Sequence, residues 1–412
     1  MKFIHAADIH LDSPLTGLSA YADAPTELLR TATREAFSNL VRAAVDEQVD
    51  FVIIAGDLYD GNWKDYNTGV FFAREMGRLS AAGIPAFIVY GNHDAENEMT
   101  KRLSLPPNVI AFGSHHAHTH RIESLKVALH GQSFRQAATT DNLAVTYPAP
   151  LAGWFNIGVL HTAHASYAPC TLAELVAKGY DYWALGHVHE FAVLHTDPWV
   201  VFPGNLQGRH VRECGARGAV IVTVEDGHIT ALERLFSDVL RWQRLEVDVS
   251  AAADLAAAVQ CVAGALGHLI ESQISDRPVA LRVTLCGRSG AHGDLFGNEA
   301  RLRAEVVAIA AALGGGRVWI EKVRVETTAP LDAAAVRARG DAIADLQALL
   351  DHAPADQDLI AGLTDELRQL ADRAPHELAA LLPELDAIRR GELGALVTAV
   401  IPGLVAHLIK AD

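Results

Sequence analysis

The chain of 412 residues has four cysteines, and no two of them form a CxxC pair. Cys170, Cys214, Cys261 and Cys286 stand far apart, which argues against a disulfide framework or a zinc ribbon and makes a reducing compartment the expectation. Positive charge is scarce too. Lys and Arg number 34 against 50 Asp and Glu, a net charge of −16, which argues against coating nucleic acid by electrostatics alone. An enzyme acting on nucleic acid stays open, because a carboxylate-rich metal site carries its own cations. No signal-peptide pattern opens the chain, since MKFIHAADIH runs straight into a strand-like stretch. No apolar run reads as long enough to span a membrane. ALVTAVIPGLVAHLI (395–409) comes nearest and is broken by Pro402. The GGG at 314–316 has no following GK[ST], so there is no P-loop. No internal repeat or low-complexity tract is present. A cytoplasmic protein is expected.

What is there is a layered pattern. Over the first 235 residues, short apolar runs alternate with helix-like stretches. The runs are KFIHAA, FVIIAG (51–56), PAFIVYGN (85–92), NIGVLHT (156–162), DYWALGHVH (181–189) and GAVIVTVE (218–225). LLRTATREAFSNLVRAAVDE (28–47) and GVFFAREMGRLSAAG (69–83) carry apolar residues at helical spacing. Continuous apolar runs separated by helices predict an α/β domain whose sheet is covered on both faces. From 236 to 330 the pattern is that of a small α+β domain, with strands in WQRLEVDVS (242–250), PVALRVTLCG (278–287) and RVWIEKVRVE (317–326). Residues 331–412 are helical and acidic, with 7 Lys and Arg against 14 Asp and Glu, and are punctuated by Pro354, Pro375, Pro383 and Pro402. Such helices suit a protein-docking surface, and equally an ordinary packed helical subdomain.

Each apolar run of the first region ends in polar residues: DIH, GDLYD, GNHD, HTAH, GHVHE. In order these supply Asp8, His10, Asp57, Asn92, His93, His161, His187 and His189. Strand ends are where layered α/β folds place active sites. In an extended segment residues i and i+2 point the same way, so Asp8 and His10 are expected to face one spot, and His187 and His189 likewise. Singly these motifs are weak, because D-x-H often marks a surface turn and Gly-Asn a tight one. Jointly they hold too many ligands for one ion. Two aspartates, an asparagine and four or more histidines fit two divalent cations about 4 Å apart sharing a carboxylate. Mixed oxygen and nitrogen donors suit Mn, Fe or Zn better than Ca or Mg.

ADIHLDSP, AGDLYD, YGNHD, VLHT and GHVHE together resemble the calcineurin-like metallophosphoesterase superfamily. DIHLDSP and FPGNLQGRH (202–210) point to its DNA-repair exonuclease branch, the SbcD/YhaO type. The resemblance implies an α/β four-layer sandwich of two sheets flanked by helices (1–235), a small α+β capping domain (236–330) and a helical C-terminal region (331–412). That last region would dock an SMC-like coiled-coil ATPase of the SbcC/YhaN type. One cation would sit on Asp8, His10, Asp57 and His189, and a second on Asp57, Asn92, His161 and His187, with Asp57 bridging. Manganese is the ion expected first, with iron, zinc or magnesium as alternatives. His93 would be the general acid. A histidine acid needs an orienting partner; Asp60 is the candidate and Asp94 its rival.

The implied activity is that of a metal-dependent DNA exonuclease or phosphodiesterase in DNA repair, and the family's members often form homodimers. Two other readings compete. One is a small-molecule or phosphoprotein metallophosphoesterase, against which stands Gly61, where the phosphatases carry a phosphate-clamping arginine. The other is a docking or regulatory subunit with a weak metal site, against which stands the full ligand set.

Other residues stay outside the motifs. HHAHTH (115–120) looks like a metal site but matches no family ligand, and reads as an exposed turn or edge strand. His5 reads as core-facing, His164 and His210 as candidates to line the cleft, and His195 is unclaimed. Basic residues near the site are few: Lys64, Lys101, Arg102, Arg209, Arg212 and Arg217. Asn92, Arg209 and Arg212 are candidates to hold a phosphate backbone, with solvated surface charge the competing reading for the arginines.

Overall fold

A computed structural model describes residues 1–15, 25–60, 66–96, 105–163, 167–273, 277–330, 333–338, 340–373 and 383–411. The stretch GNWK and Asp65, with Lys64, lie outside these residues, as do Lys101, Arg102, His164 and Pro375. The chain divides into two units, residues 1–243 with 276–280, and residues 244–275 with 281–412. The first unit runs past residue 235 because Trp242 is fully buried in it, its indole N–H donating to Gly208 O at 2.8 Å.

The first unit begins with β1 (Lys2–Ala6), α1 (Thr26–Asp46), β2 (Phe51–Ala55), α2 (Tyr66–Ala81), β3 (Ala86–Val89), α3 (Asn92–Glu96) and β4 (Val109–Ala111). There follow β5 (His118–Ile122), β6 (Val127–Gly131), β7 (Phe155–His161), α4 (Leu172–Ala177), β8 (Tyr182–Gly186), β9 (Ala192–Thr196), β10 (Trp199–Phe202), β11 (Gly218–Glu225) and β12 (His228–Phe236). They form two six-stranded sheets, ordered β12-β11-β1-β2-β3-β4 and β5-β6-β7-β8-β10-β9. β1 to β4 are parallel, as are β6, β7, β8 and β10, while β11, β12, β5 and β9 pair antiparallel.

Strand alternation sorts the side chains into layers. Phe3, Phe51, Ile53 and Phe87 meet Leu129, Ile157, Val159 and Tyr182 between the sheets. Phe3 stacks on Phe51 at 4.9 Å and meets Tyr182 edge-on at 5.4 Å. The intervening Ile4, Val52, Ile54 and Ile88 face Phe37, Leu40 and Val41 of α1 and Phe72, Met76 and Leu79 of α2. On the far side, Leu160, Trp183, Leu185 and Val200 pack with Leu175 of α4 and with Tyr147 and Tyr180. The result is helix, sheet, sheet, helix. Burying each large side chain this way stabilises the fold by roughly 1.5–3 kcal/mol. Parallel strands end on one side of their sheet, which gathers the loops that trail them.

HHAHTH places His118 and His120 on β5, an edge strand, with His120 packed edge-on to Phe112 at 4.9 Å and His115 and His116 exposed. His5 is fully buried, and His195 lies on β9, its Nδ1 donating to Pro198 O at 2.8 Å.

A three-stranded sheet consists of β13 (Arg241–Asp248), β14 (Val279–Arg288) and β15 (Val318–Thr328), most of whose residues belong to the second unit, with α5 (Leu255–Gln273) and α7 (Glu299–Gly314) flanking the short α6 (His292–Leu295) in sequence. By length and composition, α5 is long and apolar enough to cross a membrane, with mean hydropathy 1.3 over Leu255–Ser272. This corrects the expectation that no run reaches that length. Small residues and a lone histidine keep the stretch free of charge until Glu271, while Ala258, Val262 and Leu266 are buried on one face. Pro402 does not break the last helix, which runs Gly394–Ala411. A proline removes one backbone N–H bond, and here packing offsets the loss: Ile401 and Val405 join Val336 in a buried cluster, and Gly403 lies against the Phe296 ring.

Candidate metal centre

The loops after β1 and β2 run side by side. The N–H groups of Asp8, His10 and Leu11 donate to the carbonyls of Gly56, Asp57 and Leu58, each at 3.0 Å. Asp8, His10 and Asp57 have left-handed φ angles of 50°, 45° and 50°. Left-handed backbone at a residue with a Cβ costs roughly 1–2 kcal/mol each, least for Asp. Asp8 and His10 therefore converge through strained turns beyond the strand, whereas extended alternation was the expected cause. The spot they face is real. Asp8, His10 and His189 bring one ligand atom each within 4.8 Å of one another.

Asp57, His161 and His187 form a second such group. Asn92 Oδ1 lies 3.0 Å from His161 Nε2 and 3.1 Å from His187 Nδ1. His187 and His189 do not share a spot. The positive φ of 98° at His187 sends its ring to the second group while His189 joins the first. Asp57 Oδ2 stands between the groups, 3.5 Å from His161 Nε2 and 3.8 Å from His10 Nε2. Close approach demands glycine beside it. A Cβ on Gly91 would lie 2.3 Å from Asp57 Oδ1 and 2.8 Å from His161 Nε2.

For three of the four cluster imidazoles the second nitrogen is engaged. His161 Nδ1 donates to Ala55 O at 2.9 Å, His10 Nδ1 faces Asp60 Oδ1 at 3.2 Å, and His189 Nδ1 faces Glu213 Oε1 at 2.7 Å. Their remaining nitrogens point inward and face one another across 3.3 Å, His10 Nε2 at His189 Nε2, and His161 Nε2 at His187 Nδ1. Ring nitrogens converging within each group, beside buried carboxylates, are the donor set a divalent cation reconciles, so the residues fit the group.

Electrostatics follow the same division. Burial raises Asp8 to about 6, against the pull of His189 and His161. Burial would also raise Asp57, but the charge and hydrogen bond of His161, with His10 and His93, hold it well below the usual carboxylate range. Burial lowers His10 and His187 to about 4. For His161 burial is outweighed by Asp57 and Asp8, which raise it to about 9.

His93 sits at the mouth, its side chain 39 % exposed, with Nδ1 3.3 Å from Asp60 Oδ1. Asp94 is occupied elsewhere: its buried carboxylate accepts from the backbone N–H groups of Leu58, Tyr59 and Gly91 at 3.1, 2.8 and 3.0 Å. Of the two candidate partners for His93, Asp60 is the one beside the imidazole. Arg209 is no open cation. Its side chain is 16 % exposed, and it lies 3.7 Å from Asp60 and 3.6 Å from Glu213. Arg217 is buried and donates to the carbonyls of His189 and Cys214. Arg212 is exposed, and His210 reaches to 3.6 Å of Glu213. Glu213 went unnoticed in the sequence. It belongs to no strand-end motif, and only its place three residues after the GRH of FPGNLQGRH hints at it.

Two family models match the chain, calcineurin-like phosphoesterase over residues 1–191 and the middle domain of the metallophosphoesterase YhaO over residues 242–328. The chain is 34% identical over 297 residues to the uncharacterized metallophosphoesterase YhaO of Bacillus subtilis, covering 70% of this chain and 72% of that one. It is 24% identical over 207 residues to the DNA double-strand break repair protein Mre11 of Sulfurisphaera tokodaii, covering 48% of this chain and 51% of that one. Among solved structures, a dimetal phosphatase from Danio rerio aligns at a TM-score of 0.34 and 10% identity, over 57% of this chain and 97% of that one.

Proposed function

The chain belongs to the calcineurin-like metallophosphoesterases, in the YhaO family, and from that premise we propose that it is a metal-dependent phosphodiesterase that degrades DNA as an exonuclease. Phosphoester hydrolysis is the chemistry of the family. The observation that supports the hydrolytic part of this reading is Asp57, set between two imidazole clusters and beside His93. The similarity to a DNA double-strand break repair protein supports DNA as the polymer.

Asp8, His10 and His189 would complete one cation site with Asp57, and Asn92, His161 and His187 the other. Manganese is the proposed ion, on the mixed oxygen and nitrogen donors. When bound, the pair supplies an activated water and neutralises charge on the phosphoryl oxygens. Asp60 holds Nδ1 of His93, which leaves Nε2 to face the substrate. From there the imidazolium gives its proton to the leaving 3′ oxygen. Asn92 would both ligate the second cation and touch the phosphate. Residues 1–235 carry this chemistry in the proposal, with 236–330 as a cap. The acidic helices of 331–412 would dock an SMC-like coiled-coil ATPase, and the phosphoesterase region would form a homodimer.

The test is digestion of end-labelled single- and double-stranded DNA across a Mn²⁺ titration, with bis-p-nitrophenyl phosphate alongside. Metal-dependent DNA cleavage is the expected result. Hydrolysis of the small diester with DNA left intact, even with the ATPase present, would make the protein a small-molecule phosphodiesterase.

A further inference from the structure

The segment from Asn205 to Glu213 runs behind the Asp8–His10–His189 cluster. Glu213 is buried, and both of its oxygens are taken. Oε1 faces His189 Nδ1 at 2.7 Å, while Oε2 accepts from Asn205 Nδ2 at 2.9 Å and from the Arg209 backbone N–H at 2.7 Å. Asn205 is itself fully buried, and its Nδ2 also donates to Gln207 O at 2.9 Å. The carboxylate is thus held in a single orientation by charge-assisted bonds.

The guanidinium of Arg209 lies between two carboxylates, Glu213 on one side at 3.6 Å and Asp60 on the other at 3.7 Å. Its Nη1 also donates to Ser13 Oγ at 3.1 Å. Asp60 Oδ1 then touches both His10 Nδ1 and His93 Nδ1, at 3.2 and 3.3 Å. One planar cation therefore connects the acid behind His189 to the acid behind His10 and His93. A lysine, with a single point charge, does not lie within ion-pair distance of both carboxylates in this way.

We propose that Glu213, Arg209 and Asp60 act as one positioning strut that fixes the imidazoles of His189, His10 and His93 together, so that Arg209 is a positioning residue and not a phosphate contact. The proposal rests on reading the two clusters as a two-cation centre. An imidazole without an anchored Nδ1 rotates and presents either nitrogen; a carboxylate on Nδ1 fixes the tautomer and makes Nε2 a better donor. The strut serves one cluster only. His161, in the other, is anchored by the neutral Ala55 carbonyl. Loss of the strut is therefore expected to weaken one metal-binding step and spare the second.

The experiment titrates the full chain with Mn²⁺ in a calorimeter, for wild type, Glu213→Gln, Glu213→Ala, Arg209→Lys and Arg209→Met. Melting of the metal-free proteins and binding of a labelled single-stranded oligonucleotide in EDTA accompany it. Glu213→Gln keeps an acceptor and loses the charge, so one of the two steps should weaken about 10-fold, and about 100-fold in Glu213→Ala. The Arg209 variants should weaken the same step and leave oligonucleotide affinity unchanged. Equal losses in both steps together with a lower melting temperature would reduce the strut to ordinary packing and overturn the proposal. Unchanged metal binding with a tenfold loss of oligonucleotide affinity would make Arg209 a phosphate contact and overturn it as well. Wild-type protein that binds no Mn²⁺ removes the two-cation reading, and the strut with it.

Discussion

The backbone N–H of His93 donates to Asp57 Oδ1 across 3.1 Å. The residue proposed to give the proton thus also steadies the carboxylate between the two clusters, but it does so with its main chain. The two roles are separable by mutation. His93→Ala removes the imidazole and keeps the N–H. Metal binding should persist, while the rate of diester hydrolysis falls by about 10²–10⁴. Calorimetry beside a rate assay decides it; a variant that loses the metal along with the rate would show that the side chain, and not the main chain, holds Asp57.

Gly91 has no room for a side chain. A Cβ there would lie 2.3 Å from Asp57 Oδ1 and 2.9 Å from the Asp57 backbone nitrogen. In Gly91→Ala the carboxylate must turn away from one or both clusters. Metal-dependent activity should be lost, and overpacking should cost about 1–3 kcal/mol of stability. Metal titrations and urea melts of the variant check both. Tight metal binding in Gly91→Ala would mean that the loop after β3 moves instead and leaves Asp57 where it stands.

Much of this centre was readable from the sequence, and the reasons for what was not are physical. The apolar runs ending in DIH, GD, GNHD, LH and GHVH mark strand ends, and parallel strands deliver such ends to one edge of the sheets. What alternation could not supply was the local backbone. Asp8, His10, Asp57 and His187 lie at positive φ, so their directions depend on turns that periodicity does not encode. For that reason alternation pairs His187 with His189, whereas the structure places them in different groups. Glu213 and the inward commitments of Arg209 were hidden more deeply. A carboxylate that acts through another residue leaves no spacing rule in the chain, and an arginine near a site reads as a substrate contact until its partners are seen. The apolar character of α5 was missed because its run is built from alanine and glycine as much as from larger residues.

His5 gives the first unit a pH dependence separate from the metal. It is buried on β1, with Nδ1 accepting from the Tyr182 hydroxyl at 2.9 Å and Nε2 donating to Leu185 O at 3.1 Å. Burial lowers it from its ordinary 6.5 to about 3, against the Leu185 bond. The folded value is the lower one, so the unfolded chain takes up the proton first as pH falls. The contribution of His5 is full above pH 6.5 and is lost on the way down to about 3. His5→Gln keeps a donor and an acceptor without the titration. Between about pH 4 and 6, urea melts of wild type should lose about 1.4 kcal/mol per pH unit more than those of the variant. Parallel curves would show that this histidine is charged in the fold.

Metal and protons compete for the same atoms. In the metal-free protein, burial lifts Asp8 to about 6, and Asp57 outweighs burial to lift His161 to about 9. Nδ1 of His161 donates to a carbonyl, so the extra proton sits on Nε2, the atom facing Asn92. A cation taken up there must displace it. Both values lie above the ordinary ones, so protons leave on binding and affinity should rise with pH, approaching about tenfold per unit near neutrality for one proton released. Calorimetry in two buffers of different ionisation enthalpy counts that proton directly. At a free metal concentration about 100 times Kd, the bound ion should add about 2.7 kcal/mol to stability. An affinity flat from about pH 6 to 9 would show that no proton leaves on binding, and that His161 Nε2 is unprotonated before the metal arrives.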